Sequence, residues 1–269
     1  MRGSLGEKLG EGILADVHAW APGQVVKLFK PGTSRQLAWY EVQATHGIFA
    51  AGGPAPEMLG VVTLEGRFGI VLPRLDGPTL LQATRSGAIT REQAGAIMAT
   101  LCHAVHKTPP PPEVISLRDW IAPGLRSAGG RLPGHIATGV RAQIERLPSG
   151  GGLCHGDLHP GNVIMTSEGP RLVDWSSAVR APAAYDLGVS HIALTELAPE
   201  IADDPERPRA VNAALQSEYT RLSGISPAAL TAAMEPCLPI VRTLIVLAEV
   251  MPALRERLLQ RVEAALSTT

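Results

Sequence analysis

The sequence predicts an α+β protein in two lobes: a small, sheet-bearing lobe with one helix over residues 1–75, and a larger, mainly helical lobe over residues 76–269. Three features predict it. Short apolar runs with β-branched residues stand out before residue 75. After Asp76-Gly77-Pro78 the apolar residues recur at helical spacing. Within the second part, residues 153–164 place a polar, Gly/Pro-rich centre between apolar ends, the pattern of a strand, a loop and a strand.

In chain order, Val25-Val26-Lys27-Leu28-Phe29 and Phe68-Gly69-Ile70-Val71-Leu72 read as strands. Between them Ser34 is placed to cap a helix over 35–49, with Leu37, Tyr40, Ala44 and Ile48 on one face. Gly52-Gly53-Pro54 ends that helix. Residues 90–107 open with a capping box, Thr90 with Gln93, and carry Ala94, Ile97, Met98, Leu101 and Val105 on one face. Prolines 109–112 stop them. Ser226-Pro227 opens a further helix with proline at its first position, and Pro236 with Pro239 predicts a break before 240–250. Leu254, Leu258, Val262 and Leu266 mark an amphipathic terminal helix. Residues 109–112 and 148–152 read as loops, and no internal repeat occurs.

Composition narrows the class. The 269 residues are 45% hydrophobic and 18% charged, the profile of an ordinary globular protein. A net charge of -1 gives no reason to expect a nucleic-acid or membrane partner, although the last third is the more acidic part. Cys102, Cys154 and Cys237 are far apart and form no C-x-x-C pair, against a disulfide framework or a cysteine zinc site. Residues 1–12 lack the apolar core of a signal peptide, and residues 238–250 are too short to span a bilayer and carry Arg242 and Glu249. The expectation is a cytoplasmic enzyme, a monomer or weak dimer, with a small-molecule substrate as its partner.

The chemistry concentrates in His155-Gly156-Asp157-Leu158-His159-Pro160-Gly161-Asn162, followed by Arg171-Leu172-Val173-Asp174-Trp175. A loop that projects Asp157 and Asn162, with Asp174 at the end of the next strand, suits phosphoryl transfer. That reaction asks the protein mainly for positioning and charge neutralisation. One carboxylate must orient a hydroxyl and accept its proton, and oxygen ligands must hold Mg²⁺. A rival reading pairs His155 with His159 as zinc ligands four apart on a helix, but Gly156, Pro160 and Gly161 disfavour a helix there.

These residues resemble the aminoglycoside phosphotransferase and choline kinase family, a branch of the protein-kinase-like superfamily. The resemblance implies a bilobal fold with an antiparallel sheet in the first lobe, and ATP and Mg²⁺ as cofactors. It implies Asp157 as catalytic base, Asn162 and Asp174 as magnesium ligands, and Asp186 as a brace for the catalytic loop. Upstream, Gly10 and Gly12 resemble a degenerate phosphate-covering loop. Lys27, set among apolar neighbours, matches the lysine that meets the ATP phosphates, and Glu41 its partner. Residues 70–77 resemble the strand-to-linker hinge, where Leu72, Arg74 and Leu75 are the candidates for contact with adenine. The stretch around Gly10 and Gly12 is not a Walker A loop, since no Gly-Lys-Ser/Thr follows it.

A small-molecule kinase is the reading favoured over a protein kinase, which would need an ordered activation loop between Asp174 and Tyr185 where little chain is available. A catalytically silent nucleotide-binding pseudokinase is the third reading. For the acceptor, Glu196, Glu200, Asp203, Asp204, Glu206 and Glu249 are carboxylates suited to an aminoglycoside-like amine, although 198–208 also reads as a polar surface loop. An amino alcohol, a sugar or another antibiotic are the alternatives. With 4% aromatic residues, only Trp175, Tyr185 and Trp120 are candidates for part of a cation cage.

Overall fold

The computed structural model describes residues 5–148 and 151–267; residues 149–150 of the expected 148–152 loop, and the chain ends 1–4 and 268–269, lie outside them. The N-terminal part is a five-stranded antiparallel sheet in the order β1-β2-β3-β5-β4, built from β1 (Lys8–Glu11), β2 (Ala15–Ala19), β3 (Gln24–Phe29), β4 (Gly60–Leu64) and β5 (Arg67–Pro73). Register puts Val17, Lys27 and Ile70 side by side on one face. That face carries Ala15, Phe29 and Ile70, and α1 (Arg35–Ala50) covers it with Ala38 and Val42. Trp20, Val26 and Val71 form a second, smaller cluster.

Helix α1 serves two cores. Ala38 and Val42 pack on the sheet, whereas Ala44 and Ile48 are buried in the core of the helical part together with Leu158 of the 155–162 loop. The two lobes are thus joined by packing as well as by chain.

The chain leaves β5 through Asp76-Gly77-Pro78. Pro78 accepts the N–H of Met165 at 2.9 Å, so the linker lies against the strand that follows the catalytic loop. Gly77 has φ 150°, and a Cβ there would stand 1.9 Å from the Met165 carbonyl oxygen; only glycine fits so close a backbone approach.

The helical part follows with α2 (Leu80–Arg85), α3 (Arg91–Lys107), α4 (Leu117–Arg126) and α5 (Gly134–Arg146). The capping box of Thr90 and Gln93 forms as its pattern predicts. Two short hairpin-like pairings come next: β6 (Gly152–Cys154) with β9 (Val179–Ala181), and β7 (Val163–Thr166) with β8 (Gly169–Leu172). Helices α6 (Ala184–Ile192), α7 (Glu206–Ser223), α8 (Pro227–Met234), α9 (Leu238–Leu247) and α10 (Arg255–Ser267) complete the chain. One core gathers α3, α7 and the loop around Trp175; the other gathers α4, α5, α9 and α10. Helix α6 joins them, with Leu187 in the first and Ile192 in the second.

Two expectations are corrected. The prolines at 236 and 239 do not delay the next helix to residue 240: a single 3-10 turn over Glu235–Cys237 holds Pro236, and α9 starts at Leu238 with Pro239 in its first turn, where no N–H bond is lost. Residues 198–208 are not simply a polar loop. A π-helical turn, Ala193–Leu197, continues α6, a 3-10 turn buries Pro199, and α7 begins at Glu206. The stretch Pro227–Leu247 is long and apolar enough by composition to cross a membrane, but half of its most apolar window is buried inside the protein. Its Arg242 is paired with Glu196 at 2.6 Å.

Candidate active site

The loop from His155 to Asn162 is built downward from a buried carboxylate. Asp186, on the first turn of α6, has no exposed surface. Its two oxygens accept the backbone N–H groups of His155 and Gly156, each at 2.8 Å. His106 of α3 sits 3.2 Å from the same carboxylate and 2.7 Å from the Tyr219 hydroxyl of α7. Burial works against ionising Asp186, but His106 and the backbone donors outweigh it and hold the carboxyl below its ordinary 3.8. Cys102, 3.7 Å from His106 Nε2, completes a cluster of possible metal ligands, yet its thiol is pushed well up by burial and the nearby Asp186 carboxylate is already satisfied by protein donors.

Gly156 then turns the chain with φ 79°; a Cβ there would meet the Ser177 carbonyl oxygen at 2.0 Å. His155 is fully buried edge-on to Trp175, with ring centroids 4.6 Å apart. Its Nε2 donates to Val173 O at 3.1 Å, and its Nδ1 accepts the Asp157 N–H at 3.3 Å. These bonds require the neutral tautomer, in keeping with burial lowering its pKa. His159 uses Nδ1 to accept the Gly161 N–H at 3.0 Å. The two histidines therefore face different partners across an irregular loop, and the helical zinc pair does not form.

Asp157, Asn162 and Asp174 converge from this frame. Asn162 donates through Nδ2 to both the backbone oxygen and Oδ2 of Asp157, at 2.9 and 3.0 Å. Its own backbone oxygen accepts the Val173 N–H, tying the loop to the segment carrying Asp174. Asp174 has φ 65°, a left-handed backbone uncommon for a residue with a side chain. Its Oδ1 accepts from Lys27 at 3.0 Å and from the Ser176 hydroxyl at 2.7 Å. Burial opposes ionisation of Asp174, but Lys27 and Ser176 overcome it and bring the carboxyl down to about 2.

Lys27 also donates to Glu41 Oε1 at 2.7 Å. Burial opposes its charge, and the two carboxylates more than restore it, so its pKa rises. Glu41 is itself so deeply buried that its carboxyl is pushed up to about 7 against the pull of Lys27. The sequence-predicted residues thus form two side-chain groups, Lys27 with Glu41 and Asp174, and Asp157 with Asn162, whose segments are joined by the Val173 N–H to Asn162 O bond.

Each of the three oxygen-bearing residues keeps an oxygen without a protein hydrogen-bond partner among the described residues: Oδ1 of Asp157, Oδ1 of Asn162 and Oδ2 of Asp174. The Asp157 and Asp174 side chains remain 44% and 36% exposed. An amide oxygen beside a carboxylate is the donor set a hard divalent cation takes, so Asn162 and Asp174 fit a magnesium ion.

The other candidates stand further out. Gly10 and Gly12 lie on the β1–β2 hairpin, where Gly12 donates to Ala15 O at 2.8 Å and Gly10 pairs with Val17, the neighbour of Lys27. Leu72 pairs with Val25 on the same sheet. The Arg74 N–H is already given to Gly23 O at 2.8 Å and its side chain to Asp76, which removes that amide as a donor to a base. Leu75 has no such bond among the described residues.

Most of the acidic acceptor candidates are paired within the protein. Glu196 takes Arg242 and Arg261, Glu200 takes Arg257, Asp204 takes Arg91, and Glu206 takes Arg209. Glu249 lies 3.9 Å from Arg131. Trp175 and Tyr185 are 1% and 2% exposed and unavailable for a cation cage, while Trp120 packs on Tyr40. Sequence reasoning missed Ser176 and Ser190, whose hydroxyl bonds the Leu158 carbonyl at 2.7 Å beneath the loop; adjacency to Asp174 was the available signal for Ser176, and Ser190 had none.

The model of the phosphotransferase enzyme family matches residues 15–225. Among solved structures, a choline/ethanolamine kinase family protein from Mesorhizobium loti superposes with a TM-score of 0.56 at 20% identity, covering 98% of this chain and 88% of that one. An aminoglycoside-3'-phosphotransferase of type VIII gives 0.58 at 17% identity, covering 88% and 93%. An aminoglycoside phosphotransferase from Streptomyces rimosus, solved with ADP and streptomycin, gives 0.56 at 16%, covering 83% and 90%. At these identities the likeness shows the fold, bilobal and protein-kinase-like. No curated protein sequence matches the chain.

Proposed function

The chain belongs to the phosphotransferase enzyme family, and from that premise we propose that it is an ATP-dependent small-molecule kinase that phosphorylates a hydroxyl of an aminoglycoside-like or other hydroxylated amine. The observation that carries this reading is the trio of free oxygens on Asp157, Asn162 and Asp174 beside the Lys27–Glu41 pair. In this reading Asp157 orients the acceptor hydroxyl through Oδ1 and takes its proton, while Asn162 and His159 hold the other oxygen. Lys27 faces the phosphates with its charge secured by Glu41. Magnesium, held by Asn162 and Asp174, would supply neutralisation of phosphate charge. Leu75, two residues past β5, replaces Arg74 as the backbone donor towards the adenine.

The acceptor class is the finer part. The internal pairing of Glu196, Glu200, Asp204 and Glu206 weighs against a strongly polycationic acceptor held by those groups. Amino alcohols, sugars and non-aminoglycoside antibiotics therefore belong in the same panel. The test is ADP release from Mg·ATP across that panel, with Asp157→Asn alongside. One compound should stimulate the parent, and the variant should lose about 10²–10⁴-fold in turnover without a change in melting temperature. Undiminished turnover in the variant removes Asp157 as base; absence of both ATP binding and turnover in the parent removes the kinase reading.

A further inference from the structure

Tyr40 precedes Glu41 on α1, and the sequence pattern counts it among the helix's apolar positions. Its hydroxyl does what an apolar residue cannot. It donates to the Ala178 carbonyl at 2.5 Å and accepts the Ile115 N–H at 3.3 Å. Its ring lies 5.3 Å from that of Trp120 on α4, tilted by 37°. Ala178 belongs to the segment that leaves Asp174, and Ile115 to the connection between α3 and α4, where its carbonyl accepts the Arg180 N–H at 2.8 Å. One phenolic oxygen therefore ties the helix bearing Glu41 to the segment bearing Asp174. Burial lifts the Tyr40 phenol to about 12, so it remains a donor at neutral pH.

The need for such a tie follows from the charges. Lys27 bridges Glu41 on α1 and Asp174 on the far side of the cleft, at 2.7 and 3.0 Å. Glu41 is 3% exposed and its Oε2 has no hydrogen-bond partner, so its burial is costly and the ion pair alone holds α1 weakly. The apolar anchors, Ala38 and Val42 on one side, Ala44 and Ile48 on the other, are non-directional and let a helix slide by a fraction of an ångström. A hydroxyl with one donor bond and one acceptor bond does not.

We propose that Tyr40 is a positioning residue for phosphoryl transfer, its hydroxyl setting the height of α1 against the Asp174 segment so that Glu41 presents Lys27 to the phosphates. This rests on the kinase reading of Lys27 and Asp174. Tyr40 touches neither substrate; it acts through Glu41.

The test uses Tyr40→Phe in the full chain, which keeps the ring against Trp120 and removes only the hydroxyl. With the acceptor found in the panel above, kcat should fall about tenfold, equivalent to one intramolecular hydrogen bond of ~1.4 kcal/mol, while KM for acceptor and ATP stays within about twofold. In a Glu41→Gln background the same change should cost less than about twofold, because the two residues act in series. Full additivity of the two losses overturns the proposal, as does an unchanged kcat. Amide exchange gives a readout independent of activity: the Ile115 N–H should exchange faster in Tyr40→Phe, with α9 unaffected. Unchanged exchange at Ile115 means the tie is absent. If the parent neither binds ATP nor transfers a phosphoryl group, the kinase reading fails and the positioning role with it, and exchange still decides whether the tie exists.

Discussion

The seam around Asp186 and the β1–β2 hairpin both carry charge close to the cleft, yet they are held in opposite ways. At the seam, Asp186 is fully buried and meets two backbone donors and His106. On the hairpin, Lys8 pairs with Glu11 and Asp16, and Lys30 just past β3 reaches Glu11; Lys8 and Glu11 stand largely in water, and Ile13 at the tip is 69% exposed. Buried charges survive only where their partners are fixed, whereas exposed pairs are screened and replaceable. In the proposed reading, the difference separates a rigidly held base of the site from a hairpin that would cover the nucleotide.

The largest effect should come from Gly156→Ala. A left-handed φ and a clash with Ser177 O together predict a loss of about 3 kcal/mol, read from urea melts, with loss of turnover. Tolerance of alanine there would mean the loop is not held as described. Next is Glu196→Gln, which leaves Arg242 buried without its counter-charge and should cost about 2–3 kcal/mol, below the usual figure for a broken buried pair because Arg261 reaches solvent. An unshifted urea midpoint would show that Arg242 finds another partner.

The brace predicts a pH dependence of intermediate size. Asp186 is held below 3.8, so its contribution is fully present above that value and drains away as protons return below it. The urea midpoint should therefore fall as the pH drops below about 4, and Asp186→Asn should flatten that fall. A parallel slope in the variant would assign the acid sensitivity elsewhere. The smallest effect belongs to the hairpin. Lys8→Ala and Glu11→Ala should leave the melting temperature within experimental scatter; a clear drop would blur the contrast between the regions.

How much was legible depends on how local the cause is. Lys27 stands out because a lysine among Val25, Val26, Leu28 and Phe29 demands an anion. The loop from His155 to Asn162 was legible as a dense block of turn chemistry with fixed spacing. Helices α4 and α5 were not read, because Pro123, Gly124, Gly129, Gly130, Pro133 and Gly134 punctuate that stretch like a loop, and only packing against α9 and α10 makes it helical. Glu196 reads as a free carboxylate for the acceptor because its partners lie far along the chain, at Arg242 and Arg261. Tyr40 packs against the core as the periodicity predicts, but helical periodicity is blind to the bonds of a hydroxyl at the edge of that face. The Asp174 backbone, left-handed without glycine, leaves no local trace at all.

Helix α1 has a consequence for modularity. With Ala38 and Val42 in one core and Ala44 and Ile48 in another, neither lobe is complete when cut at the linker after β5. A fragment ending there would expose an apolar stripe to water, and a chimera joined there would set foreign side chains against it. Exchange of lobes between relatives is therefore workable only when the partner surface of this helix travels with it.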